Sequence, residues 1–148
     1  IVSFGFKPQR ACQTGHLRFV GAENFEPAGE RVLNQTYGFD ADVAHHLHHA
    51  FGDQAVRVAK LATSGFGARL HARHPYLEAE VLYAARHEFA ERASDVLTRR
   101  IPLALLDNAA AKEALPRVVE LMAIELGWDQ ARCAMEVAMG MQRLNGAL

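Results

Sequence analysis

The chain has 148 residues, of which 50% are hydrophobic and 22% charged, and its formal net charge is -1. That length suits one domain with a single core, and that balance excludes intrinsic disorder. The near-neutral charge lacks the basic face with which a nucleic-acid binder displaces counterions, so no nucleic-acid partner is expected. No apolar run approaches the roughly 20 residues that cross a bilayer.

Residues 1–27 read as an extended lead-in. Pro8, Gly15 and Gly21 interrupt them, and the short apolar piece Leu17–Val20 shows no helical period. The chain opens at Ile1 in an apolar run with no initiator methionine, which reads as a piece of a longer protein. Residues 28–148 read as a helical domain. Ala28 to Tyr37 predicts a short helix with Val32, Leu33 and Tyr37 on one side and Gly38 as its stop. Asp40 is placed to cap a second helix running to Phe51, and after Gly52 a third is expected from Gln54 to Ala62. A loop from Ser64 to Pro75 follows.

Between Tyr76 and Arg99 there is neither Gly nor Pro. Leu77, Val81, Ala84, Ala85, Phe89, Ala93, Val96 and Leu97 recur there at steps of three and four, which predicts one long helix as the spine of the core. Arg99 and Arg100 fall in its last turn, where cations suit the helix dipole, and Pro102 forbids continuation. Asp107 or Asn108 opens an Ala-rich turn, Pro116 stands near the start of a further helix ending at Gly127, and a last helix spans Asp129 to Leu144. Strand signals are absent beyond residue 27. The expected fold is all-α, a compact bundle of about six helices.

The stretch His45-His46-Leu47-His48-His49 is the most conspicuous cluster of chemical groups. His45 and His49 are one helical turn apart, a spacing that lets two imidazoles share a metal, but no HExxH pattern or finger-like Cys/His pair completes a zinc set. A solvated helix face is the plainer reading, and no metal ligand is assigned. His71, His74 and His87 read as surface or partner-bonded residues, and Cys12 and Cys133, without CxxC spacing, as free thiols. Glu80, Glu88, Arg92, Asp95 and Arg99 form an ionic row beside the apolar face of the spine. Salt bridges between helices or domains account for such a row more simply than acid/base catalysis, which needs a cleft. Trp128 reads as a core anchor. No GxGxxG, GxxxxGK[ST] or GxSxG occurs, so no phosphate-cradling loop or nucleophile elbow is present.

From His74 to Asp107 the sequence HPYLEAEVLYAARHEFAERASDVLTRRIPLALLD resembles the C-terminal helical domain of FAD-dependent glycerol-3-phosphate dehydrogenases. Pro75, Tyr76, Glu80, Val81, Tyr83, Arg86, Glu88, Ala90, Asp95, Val96, Leu97, Arg99 and Arg100 meet that family's pattern in order. Leu33 with Tyr37-Gly38, and Ala114-Leu115-Pro116 with Met122-Ala123, Leu126 and Trp128, extend the resemblance from about Thr14 to Glu136. Where the family commonly has R-R-T-R-L, this chain has Arg99-Arg100-Ile101-Pro102-Leu103. The resemblance implies a longer parent that oxidises sn-glycerol 3-phosphate to dihydroxyacetone phosphate, passing a hydride to FAD and electrons to membrane quinone. An oxygen-using oxidase would share the same domain.

In that family the flavin-binding and catalytic residues lie upstream, so none is carried over and no cofactor is expected on this chain. Tyr76, Glu80, Arg86, Glu88, Asp95, Arg99, Arg100 and Trp128 are the structural or interdomain candidates. The implied partners are the N-terminal FAD domain, a second copy in a homodimer, and quinone and membrane through the parent. The implied location is the mitochondrial inner membrane or a bacterial cytoplasmic membrane. A free-standing helical interaction module is the reading that remains without the resemblance.

Overall fold

The computed structural model describes Gly5 and residues 10–146; the interrupting Pro8 of the lead-in lies outside the described residues. The described part is all-helical, as expected, with one isolated antiparallel bridge between Arg69 and Leu77. Helices α1 (Gly29–Tyr37), α2 (Ala41–Phe51) and α3 (Ala55–Leu61) follow one another through tight breaks, close to their predicted bounds. Asp40 does stand at the N-cap position of α2, but its side chain makes no capping bond. Arg69 takes its carboxylate instead, at 2.9 Å.

The lead-in is not free of the bundle. The Asp53 N–H donates to the Gly21 carbonyl at 2.9 Å, and the Asn24 N–H donates to the Asp53 carboxylate at 2.8 Å. Gly21 and Gly52, both at positive φ, cross so closely that a Cβ on Gly52 would be driven into the Gly21 carbonyl. This crossing holds residues 21–25 against the break between α2 and α3.

The long spine predicted from Tyr76 to Arg99 is broken. Helix α4 spans only Glu78–His87; a short α5 (Ala93–Asp95) and a wide turn, Val96–Arg100, come after an irregular link. Phe89 sits at φ 55 with its ring 89% exposed, and the Ala90 N–H turns back to the Ala84 carbonyl. Periodicity failed here because Ala90, Ala93, Val96 and Leu97 are buried by folding back against α7 and α8, not by continuing along one axis. Arg100, expected to serve a helix end, reaches back to donate to the Glu88 carbonyl and closes the link.

A second departure lies downstream. Helix α6 (Leu103–Leu106) is short, and the Ala-rich turn and the following helix are one element, α7 (Asn108–Leu126), with Pro116 in its interior. Proline there removes one backbone hydrogen bond. It is tolerated because Pro116 is exposed, where water can replace the bond, while neighbouring Leu115, Val118 and Val119 are buried. Asp107 caps α7 by accepting from the Ala110 N–H at 3.0 Å, and Asp129 caps α8 (Gln130–Asn145) by accepting from Arg132 N–H at 2.7 Å. Gly140 on α8 is packed against Leu115 of α7, where a Cβ would come within 2.7 Å of Leu115 Cδ1.

Two hydrophobic cores result, and α4 divides them. Leu77, Ala79 and Tyr83 face α1–α3, packing with Leu33, Val43, Leu47 and Val58. Val81, Leu82 and Ala84 face the larger core with Leu97, Ile101, Leu115, Leu121 and Met122. Every residue from Glu78 to Ala84 is therefore buried. Because a left-handed backbone costs a side-chain-bearing residue about 1–2 kcal/mol, Phe89→Gly should be more stable than Phe89→Ala by about 1 kcal/mol. A continuous helix would reverse that order. Urea unfolding of the two variants decides it.

Candidate functional site

Burial of α4 from Glu78 to Ala84 takes in two carboxylates, and each has found a partner on another helix. Glu80, 2% exposed, accepts the Leu77 N–H through Oε1 at 2.7 Å, which caps the start of α4. Its Oε2 lies 2.7 Å from His46 Nε2 on α2. The His46 ring meets Tyr76 edge-on at 4.8 Å and Phe51 at 6.4 Å. Burial, and next the Glu80 charge, push the Tyr76 phenol above its ordinary range. Glu78 is gripped in two-pronged fashion by Arg117 of α7, at 2.7 and 3.0 Å. These groups line none of the larger surface grooves, and both Glu80 oxygens are occupied. The arrangement fastens helices and offers no reacting atom to a substrate.

The other sequence candidates fall along the same seams. Arg86 makes a parallel pair of 2.7 Å bonds to Glu125, joining α4 to α7. Glu88 lies 3.5 Å from Arg100, and partial burial raises its carboxyl above the usual carboxylate range. Asp95 and Arg99 pair within one turn at 3.6 Å, with Arg99 largely exposed. Trp128 packs on the larger core beneath the Arg132 guanidinium, 5.2 Å from the ring centroid. The structure thus brings Tyr76 together with Glu80, and Glu88 with Arg99 and Arg100 along one open groove beside Ala50 and Phe51, and leaves Arg86 and Trp128 at separate places.

Four participants went unread in the sequence. Arg69 holds both Asp40 and Asp42. His46, set among look-alike histidines, faces inward. Arg117 shows in the sequence only its i,i+3 neighbour Glu120, which it bonds at 2.9 Å, whereas Glu78 is 39 positions away. Glu136 is buried at the start of α5, accepting the Ala93 N–H at 3.3 Å; Arg132 lies 2.8 Å away, paired in charge but not aligned as a hydrogen bond. The only sequence signal for Glu136 was its place four residues after Arg132.

The histidine stretch divides by face. His48 is buried and stacks on Phe25 at 4.7 Å, and His46 serves Glu80, so the solvated-face reading holds for His45 and His49 alone. His71 and His74 are bonded to Glu113 and Asp107, at 3.0 and 3.1 Å. Cys12 and Cys133 are both free. Grooves of about 470 to 610 Å³ lie beside Asp53 and Arg57, and between α5 and α8. They are open and lined by charges of both signs.

Residues 12–133 match the family described as the C-terminal domain of alpha-glycerophosphate oxidase. The chain belongs to that family. It is 43% identical to the mitochondrial glycerol-3-phosphate dehydrogenase SDP6 of Arabidopsis thaliana, over 93% of this chain and 24% of that protein. The mitochondrial glycerol-3-phosphate dehydrogenases of Bos taurus and Homo sapiens are 44% and 45% identical, over 81% and 79% of this chain and 17% of each relative. The chain therefore spans about a quarter or less of the length of these relatives. No solved structure matches.

In this alpha-glycerophosphate oxidase C-terminal domain the motif from Pro75 to Arg100 thus has a structural meaning: it encodes the two-sided α4 and the link that folds back from it. Replacing Glu80 with Ala leaves the Leu77 N–H uncapped and His46 unpaired in a buried place. The variant should lose about 2 kcal/mol or more in urea unfolding, and retention of wild-type stability would refute the latch.

Acid should loosen the same seams. Asp42, Asp107 and Glu125 are held below their ordinary ranges, by Arg69, by the Ala110 N–H and then His74, and by Arg86 respectively. A lowered carboxyl stabilises the fold fully above its unfolded value and ceases to as pH falls through its folded one; Glu88, raised, acts in the opposite sense. The thermal midpoint should fall below about pH 4, in the ordinary carboxylate range. Asp107→Asn should flatten that fall, and a variant profile parallel to the wild type would deny Asp107 its part.

Proposed function

We propose that this chain is the C-terminal helical domain of an FAD-dependent glycerol-3-phosphate dehydrogenase, in which residues 28–148 form a non-catalytic buttress and residues 1–27 lead in from the flavin domain. The carrying observation is the family match across residues 12–133, on a helical unit whose buried carboxylates Glu78, Glu80 and Glu136 are engaged in fastening its own helices. The full-length protein oxidises sn-glycerol 3-phosphate to dihydroxyacetone phosphate and passes electrons through FAD to quinone. The relatives, named as mitochondrial, favour a place at the mitochondrial inner membrane. Among the described residues no helix is long and apolar enough to cross a membrane.

The described residues do not suit FAD itself. A dinucleotide is held where a strand feeds a glycine-rich turn at a helix N-terminus, and among them no strand of any length precedes a helix. No step of the reaction is assigned to this chain. Exposed Leu105, Leu106 and Ile124 supply apolar surface for docking to the flavin domain or to a second copy. The family description names an oxidase, which keeps oxygen as the alternative acceptor.

The test compares the full-length protein with the isolated chain. The former should reduce a ubiquinone analogue in the presence of glycerol 3-phosphate, yield little peroxide and carry bound flavin, while the isolated chain should do none of these. Turnover by the isolated chain would overturn the non-catalytic reading. Peroxide in place of quinol would move the parent to the oxidases.

A further inference from the structure

On α2, His45 and His49 stand one turn apart, their ring centroids 4.2 Å from each other. Glu30, in the first turn of α1, completes a group that no sequence spacing shows: its Oε2 is 3.1 Å from His45 Nδ1. One ligand atom from each of the three residues lies within 4.8 Å of the others. His45 and His49 are exposed, although the His49 ring also meets the buried His48 edge-on at 5.5 Å, so an ion can reach the group from solvent.

We propose that Glu30, His45 and His49 form a divalent metal site of the zinc class that clamps α1 to α2. Two imidazole nitrogens and a carboxylate oxygen suit zinc, whereas magnesium and calcium prefer oxygen-only sets. Zinc–ligand bonds of about 2.0–2.1 Å around a tetrahedron set the ligand atoms about 3.3 Å apart. Side-chain rotation on the exposed faces can bring the three atoms to that spacing. The ion takes the place of the His45–Glu30 hydrogen bond, and the fourth position is left for water. The clamp lies over the packing of Leu33 on Val43, Ala44 and Leu47, and it ties the two helices on either side of the Gly38 turn. Its role is to fasten the two helices.

Calorimetric titration of the chain with zinc chloride tests this. One equivalent should bind, calcium should not compete, and the thermal midpoint should rise with zinc. His45→Ala/His49→Ala should abolish binding and the rise, while His71→Ala leaves both intact. Glu30→Ala should weaken affinity by at least the about 10–100-fold that losing even an outer-shell partner costs. In the unmutated chain, zinc should shift the ring resonances of His45 and His49 before those of any other histidine, which needs no variant to fold. Unchanged zinc binding in the double variant overturns the site, as does equal affinity for calcium. Affinity within twofold of wild type in Glu30→Ala overturns the clamp between helices.

Discussion

The first two turns of helix α4, Glu78 to Ala84, are buried on every side, and that single circumstance imposes most of what surrounds them. A helix between two cores cannot keep a carboxylate in water, so Glu78 and Glu80 must each be paired or not be ionised at all. Arg117 arrives from α7 on one side and His46 from α2 on the other. The two latches fix α4 against both halves of the bundle in one register. Glu80 adds the cap at Leu77, so the same carboxylate starts the helix and positions it. Apolar packing supplies the bulk of the stabilisation, while these pairs select which arrangement of helices is reached.

The ends of α4 are finished by chain that folds back upon it. Before it, Ala68 and Leu70 pair with Glu78 and Tyr76 through backbone bonds of 2.9 and 2.8 Å, and Arg69 is thereby aimed at Asp40 and Asp42 at the start of α2. After it, the reversal at Phe89 lets Ala93, Val96 and Leu97 enter the larger core from a new direction, with Arg100 closing the link on Glu88. A straight helix over the same residues would carry those side chains beyond α7. Glu136 then meets the start of α5 from α8 and satisfies the Ala93 N–H. Each break in the helical run is matched by a side chain from elsewhere that satisfies the groups it frees.

For a member of the alpha-glycerophosphate oxidase C-terminal family, this pattern gives the strongest motif of the chain a structural role. Conspicuous charged residues of the kind that mark an active site, among them Glu80, Arg86 and Glu88, are here engaged with neighbours and away from any enclosed cleft. A module so cross-linked is suited to presenting a fixed surface. The metal clamp proposed for α1 and α2 extends the same theme to a helix pair joined by the exposed Glu30–His45 pair.

Sequence by itself determined the helical class, the positions of α1 to α3 and α8, and the family, because these depend on local signals. Apolar residues at steps of three and four, Gly38 and Gly127 as stops, and Asp129 as a cap act within a turn or two of themselves. The break at Phe89, the continuity of α7 through Pro116, and the pairing of Glu80 with His46, 34 positions away, emerge on folding. Each of these is settled by burial. An apolar period reads the same whether the helix continues or folds back, a proline's cost depends on whether water reaches the freed carbonyl, and a histidine beside three others is distinguished only by the face it buries.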